Sequence, residues 1–192
     1  MNASHGRTTL HARLAADLRA RRPEAIEELL EAFGREIQGV AYLIVRNHAD
    51  AEEIVMDTLV TAWGKGQTLR DDTALRSWLL TIASRHALSR RRRSRQWQPL
   101  IDAEQLPAPS AHSPSADRVA VAQALDALPA QVRAAIALHH VAGLTVAETA
   151  AALDKSQNTI KSQVRDGLAR LRATLDVPAR PVGGHKVDVE RT

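Results

Sequence analysis

The sequence predicts an all-α protein of two small helical domains, joined by a proline-rich linker, with a helix-turn-helix in the C-terminal domain. Hydrophobic residues make up 44% of the 192 residues but aromatic residues only 3%, so Ala, Leu and Val must supply most of the core. Small aliphatic side chains favour thin layers of packed helices. Most glycines and prolines fall in a few places, which leaves long stretches free to be helical.

The first domain is predicted over residues 8–95. Its first helix runs from about Thr9 to Arg21, with leucines at i, i+4 and i+8 on one face. A second helix begins near Pro23, because proline suits the first turn of a helix, and its apolar stripe extends to Ile44.

A third and a fourth helix complete this domain. Asp50, with Glu53 three residues later, predicts a helix start of the capping-box kind, and the helix runs to about Trp63. A loop over residues 64–71 follows. The N-cap of the fourth helix has two candidates, Asp72 and Thr73. These four helices share one apolar centre, which is enough for a compact domain.

Residues 96–116 predict a flexible linker, because four prolines interleaved with serines deny a helix its hydrogen bonds. The second domain is predicted over 117–175, and prolines and glycines predict a disordered tail over 176–192. The helices predicted in the second domain span about 117–128, 130–142, 146–153 and 157–174, and Gly143 ends the second of them as a C-cap would.

The last two of these helices form the predicted helix-turn-helix. Thr145 and Glu148 make a capping box, the short helix ends near Leu153, and Ser156 caps the next helix. Ala150 is small enough for a steep crossing. The apolar residues that would hold the pair together are Val146, Leu153, Ile160 and Val164.

The outward face of the second helix carries side chains suited to base edges and phosphates, which predicts DNA binding in the major groove. These are Gln157, Asn158, Lys161, Ser162 and Arg165. The alternative is an ordinary helical hairpin with a solvated polar face.

Two charged clusters lie in the first domain. A basic run without an intervening carboxylate favours phosphate contact over a solvated helix end, and comprises Arg85, Arg90, Arg91, Arg92, Arg93 and Arg95. Trp78 upstream is either a core residue or a platform for an unpaired base. An acidic patch, Asp50, Glu52, Glu53 and Asp57, is a poor surface for DNA and favours a basic protein partner, although acid near a helix start needs no functional explanation.

The sequence argues against an enzyme and predicts no cofactor and no metal site. It has no glycine-rich phosphate loop, which argues against an enzyme of that kind. It has no cysteine and no signal-like apolar run, which together predict a cytoplasmic protein. His139 and His140 are adjacent on a helix and point about 100° apart, a poor metal pair. The net charge of +4 favours a polyanionic partner.

The order of these features resembles the extracytoplasmic-function (ECF) group of the sigma-70 family of bacterial RNA polymerase sigma factors. The resemblance covers about residues 14–172, and its last stretch is the most specific. Four stretches carry it: Asp17–Leu30 (DLRARRPEAIEELL), Asp50–Trp63 (DAEEIVMDTLVTAW), Leu75–Arg93 (LRSWLLTIASRHALSRRRR) and Leu125–Leu171 (LDALPAQVRAAIALHHVAGLTVAETAAALDKSQNTIKSQVRDGLARL).

The resemblance implies an alternative sigma factor that binds core RNA polymerase through the β′ clamp helices and the β subunit, binds promoter DNA and has an anti-sigma factor as a further partner. The implied contacts to the −35 element are Ser156, Gln157, Asn158, Thr159, Lys161, Ser162, Gln163 and Arg165. Those to the −10 region are Lys65, Gln67, Arg70, Trp78, Arg85, His86, Arg90, Arg91, Arg92 and Arg93. Those to core polymerase are Asp50, Glu52, Glu53, Met56 and Asp57.

Some positions depart from the family pattern. Arg85 and Ser89 stand where the family commonly has Asn and Asp, Asp154 replaces a turn glycine, and Gln163 occupies a frequent Arg position. Two other functions stay open: a sigma-like mimic that sequesters an anti-sigma factor, and a conventional helix-turn-helix regulator.

Overall fold

A computed structural model describes residues 3–97 and 116–175, with side chains over 9–94 and 119–175, and these residues are helical without a strand. The helices are α1 (Ala3–Arg19), α2 (Ala25–Val45), α3 (His48–Lys65), α4 (Leu75–Trp97), α5 (Ala116–Asp126), α6 (Ala130–Ile136), α7 (Val146–Leu153) and α8 (Gln157–Thr174). Two 3-10 turns, Gly66–Thr68 and Asp72–Ala74, join α3 to α4, and a π-helical turn, Ala137–Val141, continues α6. The predicted all-α class is confirmed.

The N-terminal half is built on α2, α3 and α4, which pack against one another, with α1 across them. Most of the apolar stripe predicted for α2 is buried, and Ile37 and Ile44 are fully inaccessible to solvent, but Leu30, which the stripe includes, is 42% exposed. α1 begins at Ala3, six residues before the predicted start, and ends at Arg19. An ion pair between Arg19 and Asp72 ties its end to the turn before α4 and raises the pKa of Arg19.

The predicted start of α3 at Asp50 is wrong. α2 ends at Arg46, which has a left-handed conformation with φ 61°, and the chain then becomes extended at Asn47. The Asn47 side chain accepts a hydrogen bond from the Asp50 backbone N–H at 2.9 Å, so Asn47 is the N-cap. Asn and Asp are equally good N-cap residues, so the sequence does not distinguish Asn47 from Asp50. The turn at Arg46 places Asn47 at the N-cap.

The predicted cap of α4 is also displaced. Asp71, rather than Asp72 or Thr73, accepts hydrogen bonds from the backbone N–H and the hydroxyl of Thr73, at 2.9 and 2.7 Å. These bonds stabilise the carboxylate and lower the pKa of Asp71. They fix the 3-10 turn that precedes α4, so the helix starts at Leu75.

The C-terminal half follows its predicted boundaries closely. α7 and α8 occupy the predicted ranges, and Gly143, with φ 68°, ends the preceding helical segment as predicted. The segment 137–141 has π rather than α geometry, because the Ala142 N–H bonds the Ala137 carbonyl five residues back. Periodicity alone does not distinguish this turn from a regular helix end.

The two halves of the described chain pack against each other and share a continuous apolar core. α4 contacts α7, and α2 contacts α6. We call this the closed arrangement. Nothing in the sequence pattern indicates it, because each half has an amphipathic pattern of its own. The predicted linker lies almost wholly, and the predicted tail wholly, outside the described residues.

One buried guanidinium links the halves. Arg133 on α6 is 2% exposed and donates to the carbonyls of Leu125 and Leu128, at 3.1 and 2.7 Å, beside the end of α5. It also donates to the carbonyl of Ile44 at the end of α2, at 2.8 Å. Helix C-termini carry partial negative charge, so two of them here stabilise one cation.

Three more arginines cross between the halves. Arg46 pairs with Asp126 at 2.9 Å. Arg76 pairs with Glu36 and donates to the Ala142 carbonyl. Arg85 makes a long bond of 3.4 Å to the Ala152 carbonyl. Within the described ranges, no helix is long and apolar enough to cross a membrane.

We expect Arg133→Ala to lower the free energy of unfolding by about 3 kcal/mol, because it leaves several buried carbonyls without their donor. Urea unfolding followed by circular dichroism measures the change. Arg170→Ala, an exposed arginine on α8, is the control and should change stability by less than about 0.5 kcal/mol. Equal effects of the two substitutions would contradict the role of Arg133.

A second prediction concerns Asp154, whose φ of 54° lies in the left-handed region. Glycine adopts this conformation freely, whereas a Cβ costs roughly 1 kcal/mol there. Asp154→Gly should therefore be more stable than Asp154→Ala by about 1 kcal/mol in urea unfolding, although both lack the carboxylate. A more stable alanine variant would mean that the turn does not hold this backbone conformation.

Candidate nucleic-acid and protein interfaces

The helix-turn-helix is formed by two capped helices joined by a short turn. The Thr145 hydroxyl accepts from the Glu148 N–H at 3.1 Å, and the Glu148 carboxylate accepts from the Thr145 N–H at 2.8 Å. Ser156 accepts from the Thr159 N–H at 3.1 Å and starts α8. Asp154 provides the left-handed residue between the two helices. The predicted capping box and N-cap are confirmed.

Apolar contacts fix α8 against its neighbours. Ile160 and Val164 are buried where α8 meets α7, and Ala150 is buried as the predicted crossing residue. A close approach to α6 was not predicted. A Cβ on Gly167 would lie 2.5 Å from the Val132 Cγ1 atom and 2.8 Å from the Ile136 Cδ1 atom, so a larger residue there would force these side chains of α6 to shift.

The residues implied in −35 contact divide into two groups. Four are exposed along the outward face of α8: Gln157, Asn158, Lys161 and Arg165. The other four form hydrogen bonds that stabilise the helix or have half-buried side chains. Ser156 and Thr159 form the N-cap, the Ser162 hydroxyl donates to the Thr159 carbonyl at 2.9 Å, and Gln163 has a buried Oε1 that accepts no hydrogen bond from the described residues.

The arginines of the basic run on α4 differ in their contacts and exposure. Arg90 forms hydrogen bonds with Asp50, at 2.9 Å, and with Glu53, and it lies 3.9 Å from Asp57. Asp50 foremost, and then Glu53, raise the pKa of Arg90. The sequence pattern separated the acidic patch from the basic run, whereas the structure joins them at this residue. Arg85, Arg92 and Arg93 are exposed, and Arg91 is half-buried.

The remaining residues implied in −10 contact lie around α4 and the turn before it. Lys65, Gln67 and Arg70 are exposed. Trp78 is half-buried against the core. His86 forms a hydrogen bond of 2.9 Å between its Nε2 atom and the Thr61 hydroxyl, which joins α4 to α3.

The acidic patch borders an apolar groove between α2 and α3. Glu52, Glu53, Met56 and Asp57 are exposed, and Met56 is 53% exposed despite its apolar side chain. The groove has a volume of about 330 Å³, and its lining includes Leu30, Val55 and Met56, with Glu52 beside them. Sequence reasoning missed the groove, because its two walls come from different helices.

The two adjacent histidines have structural contacts. The Nδ1 atom of His139 lies 2.7 Å from the Leu144 carbonyl, and the two rings are tilted with centroids 4.8 Å apart. Burial lowers the pKa of His140, and His139 and Arg172 lower it further. Among the described side chains, no group of three or more His, Asp or Glu residues is placed to hold a metal ion.

Comparisons with known proteins give the chain's relationships. The family model for sigma-70 region 2 matches residues 29–98, and the model for sigma-70 region 4 matches residues 118–171. The ECF RNA polymerase sigma factor SigM of Mycobacterium tuberculosis is 31% identical over 153 residues, which are 79% of this chain and 77% of SigM. The RNA polymerase sigma-E factor of Streptomyces coelicolor is 30% identical over 145 residues, 71% of this chain and 80% of that factor.

Two solved structures share the fold. The sigma factor RpoE of Bartonella quintana, in complex with the anti-sigma factor NepR, has a TM-score of 0.66 and 28% identity, and the match covers 81% of this chain and 99% of RpoE. CnrH, in complex with the cytosolic domain of CnrY, has a TM-score of 0.66 and 23% identity, and the match covers 88% of this chain and 99% of CnrH.

Each half therefore matches one sigma-70 region, and the chain belongs to the extracytoplasmic-function group of the sigma-70 family of RNA polymerase sigma factors.

Proposed function

We propose that this sigma factor binds core RNA polymerase in the cytoplasm and directs it to promoters by contacting the −35 element through α8 and the −10 element through α4. The observation that carries the proposal is the exposed polar face of α8 on a fully capped helix-turn-helix. In this role the chain is a dissociable initiation factor and not an enzyme.

Contact with the −35 element is proposed for the exposed residues of α8. Gln157 and Asn158 lie in its first turn, where the amide groups of a recognition helix reach base edges in the major groove. Lys161 and Arg165 lie one and two turns further on, suited to phosphates or to guanine. Ser156, Thr159, Ser162 and Gln163 would position this face.

Contact with the −10 element is proposed for α4 and the turn before it. Lys65, Gln67 and Arg70 are exposed beside the start of α4, and Arg91, Arg92 and Arg93 lie towards its end. Extruding a base costs a few kcal/mol of stacking, and stacking of that base on Trp78 would offset this cost. Arg90 and His86 already have protein partners and would support this surface.

Contact with the β′ clamp helices is proposed for the acidic patch and the apolar groove beside it. The acidic side chains would attract a basic partner, and Met56 with the apolar groove beside it offers apolar surface that the partner can bury. The same face would be available to an anti-sigma factor. The sigma factor RpoE of B. quintana was solved in complex with an anti-sigma factor, which supports a partner of this kind here.

Simultaneous contact with both promoter elements requires the closed arrangement to open. The elements lie about 25 base pairs apart, roughly 85 Å of B-DNA at about 3.4 Å per base pair. A compact chain of 192 residues has a radius of gyration of only about 16 Å. The closed arrangement would therefore belong to the polymerase-free protein.

The test of this function is transcription by core polymerase mixed with the purified chain on candidate promoters. Promoter-dependent transcripts are expected. Core binding without promoter opening would favour a mimic that sequesters an anti-sigma factor, and binding of DNA half-sites without core would favour a conventional regulator.

Asn158→Ala should reduce discrimination at one −35 base pair by about 1–3 kcal/mol, because a bidentate amide contact is lost. Lys161→Ala should weaken binding evenly across sequences and reduce the salt slope by about one. Holoenzyme binding to −35 variants at several salt concentrations measures both. Arg170→Ala is the control, and an Asn158 variant with unchanged discrimination would exclude that contact.

Glu52→Lys should weaken binding to core polymerase at least about tenfold, because it places like charge against a basic partner. Fluorescence titration with core polymerase measures the affinity. Glu31→Lys makes the same charge change on an exposed position of α2 and should change the affinity less than about twofold. Equal losses would show that only net charge matters.

A further inference from the structure

A cleft of about 630 Å³ lies between α4 and the C-terminal half, a size typical of small-ligand sites. α4 contributes Arg85, Ser89, Arg91 and Arg92 to its wall. The C-terminal half contributes Gln131, near the start of α6, and Asp154, in the turn of the helix-turn-helix. The cleft therefore exists only while the two halves are together.

The charge in this cleft is unbalanced. Of the described residues that line it, three carry a guanidinium group and one, Asp154, carries a carboxylate. Among the side chains of residues 9–94 and 119–175, none of the three arginines has an ion-pair partner, whereas Arg90 beside them has three carboxylates within 4 Å. The Nε atom of Arg91 is buried and donates to no acceptor in the same part of the chain.

These features suit a ligand that carries a chain of linked phosphate groups. Guanidinium groups bind phosphate oxygens through paired N–H donors, and the Ser89 hydroxyl and Gln131 amide add donors on opposite walls. Leu88 and Ala130 give the cleft an apolar portion on which a base or sugar can rest. We propose that the cleft binds a small anion with a phosphate chain, of the class of nucleoside di- and triphosphates, and that the ligand bridges the two halves.

Promoter DNA is a less suitable occupant of this cleft. The proposed function separates the halves on the promoter and thereby removes one wall. A ligand that binds only the closed arrangement would oppose promoter binding, and at 100 times its Kd it would shift the equilibrium towards the closed arrangement about 100-fold. This regulatory consequence rests on the proposed function, whereas ligand binding itself does not.

Isothermal titration of the full chain with ATP, AMP and tripolyphosphate at about 0.15 M salt tests the site. We expect ATP to bind with a Kd below about 100 μM and AMP at least tenfold more weakly, because AMP lacks the phosphate chain. If tripolyphosphate binds as well as ATP, the cleft recognises the phosphate groups and needs no nucleoside. No binding by ATP or tripolyphosphate below about 1 mM would overturn the proposal.

Matched variants separate a built site from diffuse attraction. Arg91→Gln and Arg92→Gln should each weaken ATP binding about tenfold, since each removes a charged contact. Arg93→Gln removes the same charge from the same run but does not line the cleft, and should weaken binding less than about threefold. Equal weakening by all three would overturn the proposal. Arg92 is exposed, so its variant remains informative if Arg91→Gln fails to fold.

The opposite wall gives a test of bridging. Asp154→Asn removes the single carboxylate and should tighten ATP binding severalfold, because Asn tolerates the left-handed conformation and no longer repels phosphate. Asp166→Asn, on the exposed part of α8 away from the cleft, is the control and should leave the Kd unchanged. If Asp154→Asn leaves the Kd unchanged, the ligand does not reach the C-terminal half.

All of these titrations measure binding without polymerase, so their failure is distinguishable from failure of the proposed function.

Discussion

The guanidinium of Arg133 is the contact on which the arrangement of the whole chain depends. It is buried where the C-terminal ends of α2 and α5 meet, and it satisfies carbonyls from both halves of the protein. Burying a cation is costly, and the Ile44 carbonyl offsets part of that cost only while α2 lies against α6. The surfaces on α4 and α7 are then brought face to face.

This contact has a functional consequence. A sigma factor must present two DNA-binding surfaces far apart, yet the free chain holds them together through arginines and a continuous apolar core. The bonds that cross between the halves are mainly from guanidinium groups to carbonyl oxygens, as at Arg76 and Arg85. Water can replace such hydrogen bonds when the halves separate, so the apolar core between them accounts for most of the free-energy cost of opening.

Local chemistry explains what could be predicted from the sequence. The helix-turn-helix was predictable because its capping hydrogen bonds, made by Thr145, Glu148 and Ser156, join residues only three positions apart in the sequence. The start of α3 was not, because Asn47 and Asp50 are equivalent caps until the turn at Arg46 is known. The partners of Arg90 and Arg133 lie up to 40 and 89 residues away, beyond any local pattern.

The most direct test is the distance between the two halves in the free protein and on the promoter. Since the sequence has no cysteine, Glu31→Cys and Arg170→Cys, both at exposed positions, allow specific labelling with a donor and an acceptor dye. Energy transfer should be high in the free chain and fall sharply when core polymerase and promoter DNA are added. Unchanged transfer in a complex that has formed would contradict the closed-to-open account.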